Sequence, residues 1–471
     1  MQDESVITRV IRTAAGVFAP GHLGELTQQV DFALVDAVLE ETGSKERRLR
    51  LLPSRVVVYF VLALALFGDC SYQAVWAKLT AELGGLGLAK PAASSLARAR
   101  RRIGTAPLQR LFEVLAGPAG TRDQPGVFYR GLRTVAVDGT YLHVPAGDGI
   151  TGRYPIRPGR PGVEMGYPLL RLLALVECGT RALLAAAFGP AADGELPYAS
   201  QLVSALDETM LLLADAAFDA AQFLSGVCRG ARAQFLVRST ARRCPTPLEH
   251  LPDGSYLARW GYGVLKELLL VRVIEAEVTL TLEDGTVTHT QWRLVTSLLD
   301  CNRYPAAELV ALYHERWQIE TAYYSVKATL LDGRVLRSRS VPGIDQEVWA
   351  LLTVYQALIR AAADTAATRP GLDTDQISLT VLLHTARDLV TTAQGILPGP
   401  GPADLAGEIG RAVLAALLPP WRRPRLKART RKRATSKYGP NAGQHPATAQ
   451  AYTLTADITF FTEGLAPRHH T

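Results

Sequence analysis

The chain has 471 residues and a formal net charge of +7, and 48% of its residues are hydrophobic while 20% are charged. At about 100–200 residues per domain, this length predicts roughly two to four domains. The composition is that of a globular protein and argues against a disordered or collagen-like chain. A basic balance suits an acidic partner such as nucleic acid but does not prove one.

Cysteine pattern and hydropathy limit the kind of protein further. The five cysteines are scattered and form no CxxC pair, so neither a zinc site nor a disulfide framework is expected. The first residues, MQDESVITRVIRT, lack the apolar segment of a secretory signal. The most apolar run, residues 56–67, is shorter than the ~18–20 residues that span a bilayer. We therefore expect a buried helix there, no membrane partner and a cytoplasmic protein.

The first part of the chain is expected to be helical. Apolar residues recur with helical spacing over 30–39, and Pro53-Ser54 is typical of a helix start. These signals predict a helical N-terminal domain over residues 1–125 that binds DNA. A further helix over 94–103 carries four arginines, which either contact phosphates or form a solvated face: Arg98, Arg100, Arg101 and Arg102.

Strand patterns begin near residue 130. β-type runs at 134–138, 169–176, 182–188, 211–214 and 234–237 are joined by a hairpin and by helices over 196–206 and 218–227. This order predicts an α/β fold with a mixed sheet over 126–240. Alternating runs then predict a β-rich insertion over 241–302, and helical periodicity returns over 303–397, mainly at 306–330 and 346–365.

The last segment, residues 398–471, is predicted to be a linker followed by a basic region. Pro398-Gly399-Pro400-Gly401-Pro402 is typical of an exposed turn or linker. The basic side chains that follow have no acid among them and are either a nucleic-acid-binding arm or a solvated tail. The DNA-binding candidates here are Arg422, Arg423, Arg425 and Lys427.

One helical segment, YHERWQIETAYYSVK, carries four functional groups at helical spacing. At about 100° per residue, Tyr313, Arg316, Glu320 and Lys327 fall within roughly 60° of one another and share one face. The alternative interpretation is an ordinary amphipathic helix, in which Arg316 and Glu320 form an i,i+4 ion pair.

Two acids at predicted strand ends favour chemistry over simple packing. Asp138 ends the first predicted strand and Asp215 ends the fourth. Neighbouring strands can bring both carboxylates together, and a helix packed on the sheet can add Glu320. Three converging carboxylates repel one another unless cations lie between them, and oxygen ligands favour Mg²⁺ or Mn²⁺. Two such ions about 3.5–4 Å apart support phosphodiester chemistry.

The Y-x2-R-x3-E-x6-K spacing formed by Tyr313, Arg316, Glu320 and Lys327 resembles the hallmark of insertion-sequence 4 type DDE transposases. TVAVDGT around Asp138 and LLLADAAF around Asp215 resemble the segments of the family's two catalytic aspartates. LRSRSVPGIDQEVWALLTVYQALIR at 336–360 is similar to the family's continuation, and GVFAPGHLGELT to the start of its N-terminal domain.

The resemblance implies a ribonuclease H-like catalytic core with a β-rich insertion. Asp138, Asp215 and Glu320 would be catalytic and hold two Mg²⁺ or Mn²⁺ ions, while Tyr313, Arg316 and Lys327 would contact DNA phosphates. The implied function is cleavage at transposon ends followed by strand transfer into target DNA. The implied partners are double-stranded DNA and a second copy in a homodimer on paired ends, at the bacterial nucleoid.

Some residues depart from the family pattern or keep two interpretations. Ala216 and Ala217 follow the second Asp where relatives commonly carry Arg or a Gly-type residue, which affects local phosphate contact or turn geometry. Trp260 and Trp292 either stabilise a flipped base or pack in a small core. Asp219 is expected to cap a helix. The alternative functions are a nuclease without strand transfer and a catalytically silent DNA-binding repressor.

Overall fold

The computed structural model describes residues 21–48, 50–86, 90–156, 166–240, 242–261, 268–281, 287–398, 404–419 and 455–460. The predicted DNA contacts Arg422, Arg423, Arg425 and Lys427 lie outside the described residues, as does most of the Pro-Gly segment. Within the described ranges, no helix combines the length and the apolar character needed to cross a membrane.

The N-terminal region is a set of packed helices, as predicted. They are α1 (Phe32–Glu41), α2 (Ser54–Leu66), α3 (Tyr72–Leu79), α4 (Ala93–Ile103) and α5 (Ala106–Leu115). Helix α2 is apolar on every side and is buried along its length apart from Arg55. A helix that is hydrophobic all round must lie inside a larger core, and α2 confirms the buried helix expected there.

The centre of the molecule is one large mixed sheet. Its strands are β1 (Phe128–Tyr129), β2 (Leu132–His143), β3 (Leu169–Glu177), β4 (Leu183–Pro190), β5 (Met210–Ala214), β6 (Gln234–Arg238), β7 (Pro247–His250), β8 (Tyr256–Trp260), β9 (Leu269–Thr281), β10 (Val287–Thr296) and β11 (Thr455–Phe460). The main strand order is β4-β3-β2-β5-β6-β10-β9-β8-β7, with β1 beside β2 and β11 beside β9.

The first half of the sheet has the topology that the resemblance implies. β2, β3 and β4 form an antiparallel meander, whereas β5 and β6 run parallel to β2 on its other side. Parallel neighbours require crossover connections, which the short helices α7 (Leu196–Leu202) and α8 (Ala221–Ser225) supply; α6 (Asp148–Thr151) lies earlier, after β2. This is a ribonuclease H-like mixed α/β sheet.

The predicted β-rich insertion continues the same sheet. β10 pairs with β6 in antiparallel fashion, and β9, β8 and β7 extend the sheet beyond it. Strand β9 runs without a break through Glu275, which is buried and forms an ion pair with Arg293 of β10. A charged residue that is paired inside a sheet does not interrupt the strand.

The second half of the chain adds helices that pack on one face of the sheet and on the N-terminal helices. They are α9 (Ala306–Leu312), α10 (Trp317–Tyr324), α11 (Val341–Ala367), α12 (Leu379–Thr391) and α13 (Gly407–Ala415). A 3₁₀ turn at Tyr313–Arg316 joins α9 to α10, and a π turn at Ser325–Leu330 follows α10. The segment expected as one helix over 306–330 is thus continuous but changes its winding twice.

The N-terminal helices and this face of the sheet share one hydrophobic core, in which α2, α5 and α11 are packed together. The arginines predicted on α4 separate into two environments: Arg100 is buried, whereas Arg101 and Arg102 are exposed. Arg100 donates to Gln346 of α11 and to Ser338, so it joins the N-terminal helices to α11 rather than facing DNA. The boundaries at 125, 240, 302 and 397 stay predictions.

Candidate active site

Asp138 lies inside strand β2 and not at its end, which corrects the expectation from the sequence. The strand continues to His143 because it pairs with β3 as far as Leu169. On its other side the parallel partner β5 stops at Ala214. Asp138 is therefore the point where β2 runs past the end of its parallel neighbour.

Asp215 follows β5 directly, as predicted, and the strand register brings it level with Asp138. Ala136 pairs with Leu213, so the two acids each lie two residues further along adjacent parallel strands. The Asp215 carboxylate accepts a hydrogen bond of 2.8 Å from the backbone N–H of Ala217 and caps a 3₁₀ turn. That contact uses the backbone at Ala217, so an alanine side chain there leaves it intact.

Arg316 connects the strand acid to the helix acid. Its Nη1 lies 3.5 Å from Oδ2 of Asp138, and its Nη2 lies 3.1 Å from Oε1 of Glu320. The i,i+4 ion pair considered as an alternative is therefore present, but the same guanidinium also reaches across to the sheet. The 3₁₀ turn at Tyr313–Arg316 ends at this residue.

The electrostatics of Asp138 show that the three carboxylates influence one another. Burial raises the pKa of Asp138 to about 7, and the positive charge of Arg316 opposes this rise. The negative charges of Asp215 and Glu320 raise the same pKa further. Repulsion between them is expected wherever acids converge with too little positive charge nearby.

The carboxylates have the right chemistry for a hard divalent cation, but they surround Arg316 rather than one common point. Among the described residues, no group of three or more His, Cys, Asp or Glu side chains is close enough to hold a metal ion. Oxygen donors from Asp138, Asp215 and Glu320 match the preference of Mg²⁺. In this geometry, Arg316 supplies the positive charge between Asp138 and Glu320.

Tyr313 and Lys327, the two other predicted DNA contacts, flank the acids. Tyr313 is buried, and its hydroxyl donates a hydrogen bond of 3.0 Å to the carbonyl oxygen of Ala214, next to Asp215. Burial also raises the pKa of Tyr313 to about 12, so the phenol keeps its proton. Lys327 is half-buried and its Nζ lies 3.2 Å from Oγ1 of Thr140 on β2.

Tyr323 belongs to the site although no sequence pattern singled it out. Its hydroxyl donates to the carbonyl oxygen of Asp138 at 2.6 Å and accepts from the backbone N–H of Ala174 at 2.9 Å. Its position three residues after Glu320 is the only available signal, because residues spaced by three share a helix face.

The tryptophans of the β-rich segment pack inside the structure. Trp260 is buried and donates from Nε1 to the backbone oxygen of Asp219 at 3.0 Å. Trp292 is buried against Tyr313, with ring centroids 5.3 Å apart. These contacts favour the packing interpretation for both rings.

The expectation that Asp219 caps a helix is wrong. Its carboxylate accepts from Ser239 at 2.9 Å and pairs with Arg243 at 3.1 Å. The N-cap of α8 is Ala220, which has no side-chain cap bond. Asp219 is buried, and its negative charge is compensated by the ion pair with Arg243.

The chain matches two protein families and a known transposase over most of its length. Residues 20–113 match the family described as insertion element 4 transposase N-terminal, and residues 129–357 match the transposase DDE domain. The chain is 26% identical over 423 residues to the transposase InsG for insertion sequence element IS4 of Escherichia coli K12, which covers 88% of this chain and 93% of that protein.

A solved structure of the piggyBac transposase synaptic complex with hairpin DNA is also similar, with a TM-score of 0.38 and 11% identity over 85% of this chain and 90% of that one. The two family matches together span most of the N-terminal helices, strands β2 to β10 and most of α11. The chain belongs to the insertion-sequence 4 family of DDE transposases, and it is a DNA transposase that depends on divalent metal ions.

Proposed function

We propose that Asp138, Asp215 and Glu320 are the catalytic residues and that they hold two Mg²⁺ or Mn²⁺ ions. The observation that carries this proposal is the bridge from Arg316 to both Asp138 and Glu320, at the level of Asp215. A guanidinium that is buried between carboxylates indicates excess negative charge at the site. Divalent ions can neutralise such charge. When bound, such ions activate an attacking oxygen and stabilise the leaving one.

The side chains around the acids position the DNA in this proposal. Arg316 and Lys327 lie beside Asp138 and Thr140, where a phosphate that approaches the carboxylates meets their positive charges. A guanidinium can donate hydrogen bonds to two phosphate oxygens at once. Tyr313 remains a predicted DNA contact. Its hydroxyl donates to the backbone oxygen of Ala214, so Tyr313 also holds the end of β5 in place.

The proposed reaction begins with hydrolysis of the phosphodiester bond at the end of the element. The freed 3′-hydroxyl then attacks a phosphate of the target DNA and displaces the 3′-oxygen of the target strand, which joins the end of the element to the target. Because two ends have to be cut and joined, we further propose that two copies of the chain act together on paired ends. Arg422, Arg423, Arg425 and Lys427 are proposed to add nonspecific phosphate contacts.

Replacing Glu320 by Gln tests the proposal, since Gln keeps the shape but removes the charge. With a labelled duplex that carries one end of the element, we expect Glu320→Gln to lower Mg²⁺-dependent cleavage by at least about a thousandfold. Binding of the same duplex in EDTA should stay near the wild-type value. Glu249→Gln, at an exposed position on β7, is the control and should cleave normally.

The outcomes separate the alternatives. Undiminished cleavage by Glu320→Gln would remove Glu320 from the metal site. Wild-type protein that cleaves the end but never joins it to a target plasmid would be a nuclease without strand transfer. Wild-type protein that binds the duplex but leaves it uncut with Mg²⁺ and with Mn²⁺ would be a DNA-binding repressor.

A further inference from the structure

A basic pocket lies in the N-terminal region, away from the acids. It has a volume of about 490 Å³ and opens where the segment after α1 meets the start of α2 and the end of α4. Five of its lining side chains are cationic, and the set is named here the basic pocket: Lys45, Arg47, Arg48, Arg50 and Arg102. Glu46 is the only acid among the lining residues.

The described neighbours neutralise part of this positive charge. The Glu46 carboxylate already accepts a hydrogen bond of 2.9 Å from the backbone N–H of Ser54 at the start of α2. Lys45 forms an ion pair of 3.3 Å with Glu40. Arg47 and Arg48 are exposed and have no hydrogen-bond or ion-pair partner among the described residues. A cluster that holds more cations than acids attracts a polyanion.

Arg102 is held in place at the rim of the pocket. Its guanidinium donates to the backbone oxygen of Leu52, which ties the end of α4 to the segment that precedes α2. Partial burial and the nearby charge of Arg50 lower the pKa of Arg102, whereas the charge of Glu46 opposes this change. A bound anion would add to the negative charge that Glu46 supplies between these two arginines.

We propose that the basic pocket binds a phosphate group of the DNA backbone, outside the stretch of DNA that is cut. The inference rests on the DNA transposase function and adds a contact site to it. The pocket is open and carries several arginines, which suits a continuous polyanion better than a small enclosed ligand.

The position of the pocket defines which part of the DNA it reaches. Helix α2 begins at the pocket, and its 13 residues span about 18–20 Å. Beyond its other end, Arg334 donates to the backbone oxygen of Gly68 at 3.4 Å, so that end lies against the chain that follows the Glu320 segment. None of the residues that line the pocket belongs to the candidate active site, so the proposal places the bound phosphate away from the cleaved bond.

The test compares two double variants that lose the same charge. Arg47→Gln/Arg48→Gln removes two cations of the pocket, whereas Arg232→Gln/Arg369→Gln removes two exposed arginines elsewhere. Binding of a labelled duplex carrying one end of the element is measured by fluorescence anisotropy in EDTA over a range of NaCl concentrations. Circular dichroism checks that both variants fold.

We expect the pocket variant to bind about tenfold more weakly at ~0.1 M NaCl, with a salt slope reduced by about one to two, since each phosphate contact contributes about 0.9 to that slope. The control variant should keep the wild-type slope. An unchanged slope in the pocket variant, or an equal loss in both variants, would overturn the proposal. Wild-type protein that fails to bind the duplex at all would instead contradict the DNA-binding function itself.

Discussion

The hydroxyl of Tyr323 lies between two paired strands and joins the catalytic strand to its neighbour. It donates to the carbonyl oxygen of Asp138 at 2.6 Å and accepts from the N–H of Ala174 at 2.9 Å. Asp138 and Ala174 are register partners in β2 and β3, so the phenol replaces a direct contact between the strands at this pair. The helix that carries Glu320 thereby also positions the backbone of Asp138.

Tyr323→Phe should weaken both the fold and the reaction. Two buried backbone groups lose their partner, and each unsatisfied group costs about 1–3 kcal/mol. We expect the free energy of unfolding in urea to fall by about 2 kcal/mol and cleavage of an end duplex to slow, with DNA binding retained. Tyr324→Phe is the control, because Tyr324 is 69% exposed. Equal stability of both variants would show that the bridge contributes nothing.

Arg316→Gln should make the protein depend on metal for its stability. Without the guanidinium, Asp138 and Glu320 face each other with no cation between them, and breaking a buried ion pair costs about 3 kcal/mol or more. In EDTA the melting temperature should drop. Added Mg²⁺ should then raise it by more than in the wild type, because the ion replaces the missing charge.

The matched variant for this prediction is Arg316→Lys, which keeps the charge and should melt closer to the wild type in EDTA. Differential scanning fluorimetry with and without Mg²⁺ measures both effects. If Arg316→Gln and the wild type gained equally from Mg²⁺, then Arg316 would not substitute for a cation in this site.

Arg100→Met should destabilise the whole molecule, although Arg100 lies far along the chain from its partners. The side chain is buried and donates to Gln346, Ser338 and the backbone oxygen of Gly343. Removing it leaves several buried acceptors unsatisfied, at an expected cost of about 3–5 kcal/mol. Urea unfolding of Arg101→Met, an exposed neighbour, provides the comparison and should differ from wild type by less than about 0.5 kcal/mol.

Stability should also fall in mild acid because of buried His22. Burial lowers the pKa of His22 from 6.5 to about 4. The unfolded chain therefore takes up a proton between these two values that the folded chain does not accept. The contribution of His22 to the free energy of unfolding is complete above pH 6.5 and is lost progressively as the pH falls towards 4.

Melting temperatures measured from neutral pH to about pH 5 check this prediction. His22→Asn should show a shallower decline than the wild type, because the titrating group is gone. His314, whose pKa burial also lowers to about 4, accounts for part of the decline that remains. His384→Asn is the control, since His384 is exposed. A decline as steep in His22→Asn as in the wild type would contradict the role of His22.

Local sequence patterns were sufficient to predict most elements, and they singled out Asp138, Asp215 and Glu320 as candidates but not Tyr323. The uniform apolar character of α2 predicted a buried helix, and the apolar runs before Asp138 and Asp215 predicted two strands. The four-residue spacing of Arg316 and Glu320 predicted their contact. These patterns succeed because helix and strand periodicities depend on neighbours only a few residues apart.

Only the tertiary structure decided how those residues meet. Asp138 lies within a strand because β3 extends beyond β5, and its contacts with Arg316 and Tyr323 cross 178 and 185 residues of sequence. Arg100 is similarly buried by partners on α11. Strand register and the docking of a helix on a sheet depend on how distant surfaces fit together, and local periodicity carries no information about that fit.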